Sequence, residues 1–130
     1  MNPLDKLRET YADSPGVRAV PFTDQVHVHM RAADVLLSKA GGISSAEAAV
    51  VHVPLVHTMM IPGVETLNAS FFAGMGMSFM AGSFDEAARY ADRIVYDGKT
   101  ARRIVAAQKE HMPPDGSERI ARYVVVHGEA

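Results

Sequence analysis

A short apolar run followed by a glycine pair and a helix start is the feature that most constrains how this chain can fold. The run Val35-Leu36-Leu37 predicts a short buried strand, and Gly41-Gly42 predicts the tight loop that ends it. Ser44 and Ser45 can each cap a helix, and the alanines after them favour a helix from residue 45 to about residue 52. The chain therefore contains a strand, a glycine loop and a helix in direct succession.

Such a unit can bind an anion through its backbone. Free N–H groups at a helix start point outward, and glycines let a phosphate approach the main chain closely. Glu47 is expected in the first turn, where a carboxylate suits the positive end of the helix dipole. The alternative is that Gly41-Gly42 is only a tight turn between strand and helix, because the lysine signature of phosphate loops is absent.

The rest of the chain alternates between strand and helix patterns. This alternation predicts an α/β fold in which helices cover both faces of a parallel sheet. We expect one domain, residues 1–130, with about four strands centred near Val20, Leu36, Val56 and Phe79. Helices are predicted over residues 4–12, 25–33, 45–52, 65–74, 83–96, 99–111 and 117–126. Val26, Met30, Leu67, Phe71 and Phe72 are among the side chains expected to face the core.

Composition narrows the functional classes. The chain has 130 residues, 48% of them hydrophobic, which is enough for one domain with a real core. A net charge of −2 without any long basic run argues against a nucleic-acid surface. There is no cysteine, which excludes disulfides and thiolate chemistry. The absence of an apolar signal core and of any apolar run of ~18 residues leads us to expect a cytoplasmic protein.

The six histidines do not form a metal-binding pattern. His27 and His29 are two residues apart on a predicted helix, so they do not share a face. His52 and His57 are expected at the surface, near the ends of elements. Because no His-x-x-x-His pair is present, we expect no metal site.

A second stretch adds a resemblance to a known family. The two motifs are Ser38-Lys-Ala-Gly-Gly-Ile-Ser-Ser-Ala-Glu-Ala48 and, after it, Ile61-Pro-Gly-x-Glu-x-x-Asn-Ala69. Together they resemble the C-terminal donor-binding domain of GT-B glycosyltransferases of the family 28 type. That group contains monogalactosyldiacylglycerol synthases, processive diacylglycerol glucosyltransferases and the peptidoglycan enzyme MurG. The resemblance extends from about Val17 to about Tyr123, and it implies a Rossmann-like three-layer αβα fold.

The resemblance implies a hexosyltransferase that uses a nucleotide sugar, linked to uridine diphosphate, and acts on a lipid or lipid-linked acceptor. No cofactor other than this donor substrate is implied, and the anomeric carbon would be attacked directly with inversion. Glu47 matches the glutamate that binds the ribose hydroxyls in the family; the alternative is that it only stabilises the helix dipole. Val64 departs from the family pattern, in which a glutamine contacts the donor. The implied donor-binding residues are Phe22, Thr23, Gly41, Gly42, Ile43, Ser44, Glu47, Pro62, Gly63, Glu65 and Asn68.

Compared with the family's six-stranded domain, two strands and the acceptor-binding half have no counterpart in this chain. No catalytic residue can therefore be assigned, and we expect the isolated chain to be inactive. The missing strands would leave apolar sheet edges near Val20 and Leu36 unpaired. Either the strand near Val20 moves next to the strand near Leu36, or another chain completes the sheet. We expect an acceptor-domain chain or a second copy as the partner, with any peripheral membrane association made through it. The alternative is a non-catalytic module that self-associates through the same edges.

Overall fold

A parallel sheet of three short strands lies at the centre of the fold, in the order β1-β2-β3. The computed structural model describes residues 2–128. The strands are β1 (Leu36–Ser38), β2 (Leu55–His57) and β3 (Ser78–Met80). The helices are α1 (Pro3–Thr10), α2 (Val26–Ala32), α3 (Gly42–Val50), α4 (Val64–Gly74), α5 (Phe84–Tyr96), α6 (Gly98–His111) and α7 (Gly116–His127). Since β1, β2 and β3 run parallel, α3 and α4 are the crossover helices between them.

The core lies on both faces of this sheet. Leu55 and Val56 are adjacent in β2 and fully buried, and their side chains point to opposite faces. One cluster contains Met30, Ala48, Ala49, Val53, Leu55, Phe72 and Met77. The other contains Val56, Ala81, Ala87, Ile94 and Ile104. The predicted α/β class and the Rossmann-like αβα layering are confirmed.

The expected strand count was too high, because the segment 17–22 forms no strand. Val17 and Val20 are about half exposed, and Phe22 is completely exposed. Pro21 removes one backbone donor from this short stretch, and an isolated apolar run without a paired strand gains nothing from extended structure. The sheet therefore has three strands instead of about four, and β1 is one of its edges.

Several helix predictions need smaller corrections. The helix α3 begins at Gly42, three residues before the predicted start, and Gly41 is its N-cap. Ser45 does not cap it, because its hydroxyl is buried against a core histidine. Leu67 and Phe71 in α4 are exposed, as is Val26 in α2, whereas Phe72 and Met30 are buried as expected. These short helices bury one narrow stripe each, so apolar neighbours of the stripe stay in solvent.

The two terminal helices differ from the rest in their burial. Neither α1 nor α7 contains a buried residue, although α7 carries Ile120, Tyr123 and three consecutive valines. Within residues 2–128, none of the helices is long and apolar enough to cross a membrane.

Candidate functional site

The carboxyl ends of β1 and β2 lie side by side, because the strands are parallel and adjacent. A short loop, residues 39–41, leads from β1 into α3, and a longer one, residues 58–63, leads from β2 into α4. Both helices therefore start at the same edge of the sheet. This arrangement places two positive helix ends close to the strand ends, where ligands bind in open α/β sheets.

Two side-chain contacts tie the first turns of α4 to the loop that precedes α3, and a third ties α4 to its own preceding loop. Lys39 Nζ forms an ion pair of 2.8 Å with Glu65 Oε1, and Glu65 Oε2 accepts a 2.8 Å hydrogen bond from the backbone N–H of Ile61. These bonds, from Lys39 first and then from Ile61, hold the pKa of Glu65 below its ordinary value. Asn68 Nδ2 donates to the carbonyl of Ala40 at 3.0 Å. The start of α4 is thus fastened to the loop that precedes α3.

The start of α3 has the properties of an anion site. Its N-cap, Gly41, has no side chain to bond the first N–H groups, and the first intrahelical bond at this end is donated by Ser45 N. The N–H groups of Gly42, Ile43 and Ser44 are the donors that an α-helix leaves unpaired at its start. Gly42 and Ile43 are exposed, and the first turn carries no acidic residue. An anion could therefore reach these donors without displacing a protein carboxylate.

The start of α4 depends on a glycine. Gly63, its N-cap, has φ 106° and ψ −118°, a backbone conformation that only glycine adopts readily. Pro62 precedes it and is exposed. The Pro62-Gly63 pair lets the chain turn sharply from the loop into the helix, which brings Glu65 to Lys39 and Asn68 to Ala40.

Glu47 lies farther along α3 than the sequence predicted. Because α3 begins at Gly42, this residue falls in the second turn, where it is exposed. The prediction that it occupies the first turn is therefore wrong, and its charge is of little use to the helix dipole, which acts over the first turn. Stabilisation of the helix dipole therefore does not explain why position 47 carries a carboxylate.

Phe22 and Thr23 are not joined to the edge by any described hydrogen bond. The ring of Phe22 is fully exposed. Thr23 Oγ1 accepts a bond from the backbone N–H of Gln25, which is a local turn. The structure thus brings together the two glycine motifs with Ile43, Ser44, Glu65 and Asn68, while the assignment of Phe22 and Thr23 to the donor site stays a prediction.

His57 was expected at the surface, and that prediction is wrong. The residue is completely buried in β2, next to the apolar positions 53–56. The apolar run before it already indicated a strand covered on both faces, and every side chain of such a strand is buried. Among the described residues there is no group of three or more His, Cys, Asp or Glu side chains that could hold a metal ion.

Comparison with known proteins supports the resemblance. No family model matches the chain. It is 27% identical over 94 residues to a processive diacylglycerol β-glucosyltransferase of Bacillus pumilus, covering 72% of this chain and 24% of the relative. The proteins of the same name from Bacillus subtilis and Bacillus mycoides are 24% identical over 113 residues and 22% identical over 127 residues. The chain is similar to processive diacylglycerol β-glucosyltransferases. The similarity spans 87% and 98% of this chain in the last two cases, but only 30% and 32% of the relatives.

Proposed function

We propose that this chain binds the nucleotide-sugar donor of a hexosyltransferase, with uridine diphosphate as the nucleotide and a lipid or lipid-linked molecule as the acceptor. The observation that carries the proposal is the junction of two helix starts at one sheet edge, tied by Lys39–Glu65 and Asn68–Ala40. The relatives' names, which specify glucosyl transfer to diacylglycerol, support the choice of reaction and acceptor.

The diphosphate, the ribose and the sugar of the donor each have a matching group at this edge. The diphosphate would accept hydrogen bonds from the free N–H groups of Gly42, Ile43 and Ser44. The exposed carboxylate of Glu47, one turn farther along α3, would accept bonds from the ribose hydroxyls. The Pro62-Gly63 turn and Asn68 would border the sugar. In this site the helix ends stabilise the departing diphosphate without a metal ion.

A partner chain completes the enzyme in this proposal. The carboxylates at this edge already have roles, Glu47 in binding the ribose and Glu65 in the ion pair with Lys39, so in this proposal the acceptor site and the base come from a separate chain. One edge of β1 is not paired with another strand among residues 2–128, and Leu37 in it is half exposed. An incoming strand could add to this edge. Alone, the chain should transfer no sugar from uridine diphosphate glucose to diacylglycerol.

Amide NMR during a titration with uridine diphosphate tests the binding proposal. We expect shifts concentrated at residues 41–45 and 61–66. Glu47→Ala should weaken binding by about 1–3 kcal/mol, the scale for losing one hydrogen bond to a polar group and stranding its partner. Glu9→Ala, which removes an exposed carboxylate from α1, is the matched control and should leave affinity unchanged.

The ligand series separates the donor from a simple anion. Uridine monophosphate and inorganic phosphate should bind more weakly than uridine diphosphate, because each lacks part of the contacts. Shifts confined to residues far from the two helix starts would contradict the proposal. Equal affinity for inorganic phosphate and uridine diphosphate would reduce the site to an anion site and favour the non-catalytic module.

A further inference from the structure

A groove of about 690 Å³ runs along the outer edge of β3, on the side of the sheet opposite β1. The end of α4 and parts of α5 and α6 form its walls. Inside it, the rings of Phe79 and Tyr90 are stacked with centroids 4.4 Å apart, and the guanidinium of Arg93 lies 5.6 Å from the Phe79 centroid. Nothing in the proposed donor site uses this groove.

The backbone of β3 is open toward the groove. Ala81 N donates to the carbonyl of His57 at 2.9 Å, so Ala81 and, two residues back, Phe79 direct their backbone groups to β2. Ser78 and Met80 alternate with them and direct their N–H and C=O groups to the outside. No strand of the described chain pairs with this side. Such an edge is a template for another strand.

The exposed face of α6 carries one positive and one negative side chain at equal distances from a central pair of alanines. Arg103 and Glu110 are both exposed and lie seven residues apart, two helical turns, on the same face. Halfway between them are Ala106 and Ala107, whose small side chains permit close approach. Within residues 2–128, Arg103 makes no ion pair, and the carboxylate of Glu110 has no Lys or Arg partner, only the His111 ring at 4.0 Å.

We propose that the β3 edge and α6 form a two-fold symmetric interface between two copies of this chain. Antiparallel pairing of β3 with its copy would place Ser78 opposite Met80 of the second copy, and the reverse, which joins the two sheets into six strands. The same two-fold axis, near Ala106 and Ala107, would set Arg103 against Glu110 of the second copy twice. This inference goes beyond the donor site and does not depend on it.

The charges favour a second copy over an unrelated acidic peptide. An acidic strand would satisfy Arg93 and Arg103 but would be repelled by Glu110, which lines the same groove. A second copy of this chain supplies the opposite charge at Arg103 and at Glu110, because a two-fold rotation about the midpoint of these two residues places each against the other. The six-stranded product also covers the backbone groups that β3 leaves open.

Charge reversal at Arg103 and at Glu110, singly and together, tests this interface with several variants. Sedimentation equilibrium at micromolar concentration should show a dimer of the wild-type chain. Arg103→Glu alone and Glu110→Arg alone should each weaken dimerisation at least about tenfold, because each creates two like-charge contacts. The double variant R103E/E110R should regain dimerisation. Mixing the two single variants should give a heterodimer, since both of its contacts are then complementary.

Circular dichroism of each variant separates loss of dimerisation from loss of fold. Glu9→Arg on α1 is the control that changes charge away from the groove and should leave the dimer intact. A wild-type chain that stays monomeric at about 100 µM, or a dimer that is unaffected by either single reversal, would overturn the proposal. The latter result would assign association to another surface, such as the β1 edge.

Discussion

Ser45 and His57 are joined by a buried hydrogen bond of 2.9 Å between Oγ and Nε2. The other ring nitrogen, Nδ1, lies 3.1 Å from Ser78 Oγ, and the imidazole stands perpendicular to the ring of Phe72 with the centroids 5.6 Å apart. One histidine therefore links α3, β2 and β3. Because it fixes the second turn of α3 against the sheet, it also fixes the direction in which the start of α3 points.

Protonation of His57 should destabilise the fold in mild acid. Burial lowers the pKa of His57 from 6.5 to about 4. The unfolded chain therefore binds a proton that the folded chain does not in the range between these values. The free energy of unfolding should be constant above pH 6.5 and fall by about 3 kcal/mol as the pH drops from 6.5 to 4. Urea unfolding curves at steps of half a pH unit measure this loss.

His57→Asn provides the control for that titration. Asparagine keeps a donor and an acceptor for the two serine hydroxyls but does not titrate. Its free energy of unfolding should be lower at neutral pH and should change less between pH 6.5 and pH 5 than that of the wild type. Below about pH 4.5 the protonation of Glu65, Glu86 and Asp97, whose pKa values are lowered, adds a further loss to both proteins. Parallel pH profiles would show that another group is responsible.

Gln108 should be the most sensitive polar residue of α6. It is completely buried, and its Nε2 donates to the carbonyls of Val53 at 2.9 Å and Met77 at 3.1 Å. Gln108→Leu keeps the volume but leaves both carbonyls without this donor, so the free energy of unfolding should fall by about 1–3 kcal/mol. The exposed Gln25→Leu should change it by less than about 0.5 kcal/mol. Equal urea midpoints for the two variants would show that the buried bonds contribute nothing.

Sequence patterns were sufficient where an element carries its own boundary signal. The helix α5 begins after Ser83, whose hydroxyl accepts from Glu86 N as an N-cap does. The glycine motifs located the two loops at the carboxyl edge, because a glycine that directly follows an apolar run indicates a tight turn. The alternation of strand and helix patterns was enough to predict a parallel sheet covered by helices.

Other features depend on contacts between distant parts of the chain, which no local pattern contains. The segment 17–22 has strand composition, yet no described strand pairs with it. Ser45 is a good helix cap by type, but its hydroxyl bonds His57 instead, so α3 begins earlier. The Lys39–Glu65 ion pair spans 26 residues of sequence and could not be read from either motif alone.

The Asn68 side chain should contribute both to the stability of the fold and to the affinity for uridine diphosphate. Its Nδ2 is the donor that ties α4 to Ala40, in the loop before α3. Asn68→Ala should lower the free energy of unfolding by about 1 kcal/mol, the usual net contribution of one hydrogen bond. Ser70→Ala, an exposed change in the same helix, should cost less than about 0.5 kcal/mol. Urea unfolding gives both values, and weaker binding of uridine diphosphate by Asn68→Ala alone would link the bond to the site.

Alanine at the two ends of α4 should have effects of opposite sign. A Cβ at Gly63 or Gly74 would meet no atom within 4 Å, so neither change causes a clash. Gly63 has φ 106°, where alanine is strained, and Gly63→Ala should destabilise the fold by about 1–3 kcal/mol. Gly74 ends the helix without a positive φ, so Gly74→Ala should stabilise it by about 0.5–1 kcal/mol through lower entropy of the unfolded chain. Thermal unfolding of the pair measures the difference. If both alanines stabilised the protein, the turn into α4 would not require the backbone conformation that holds Glu65 against Lys39.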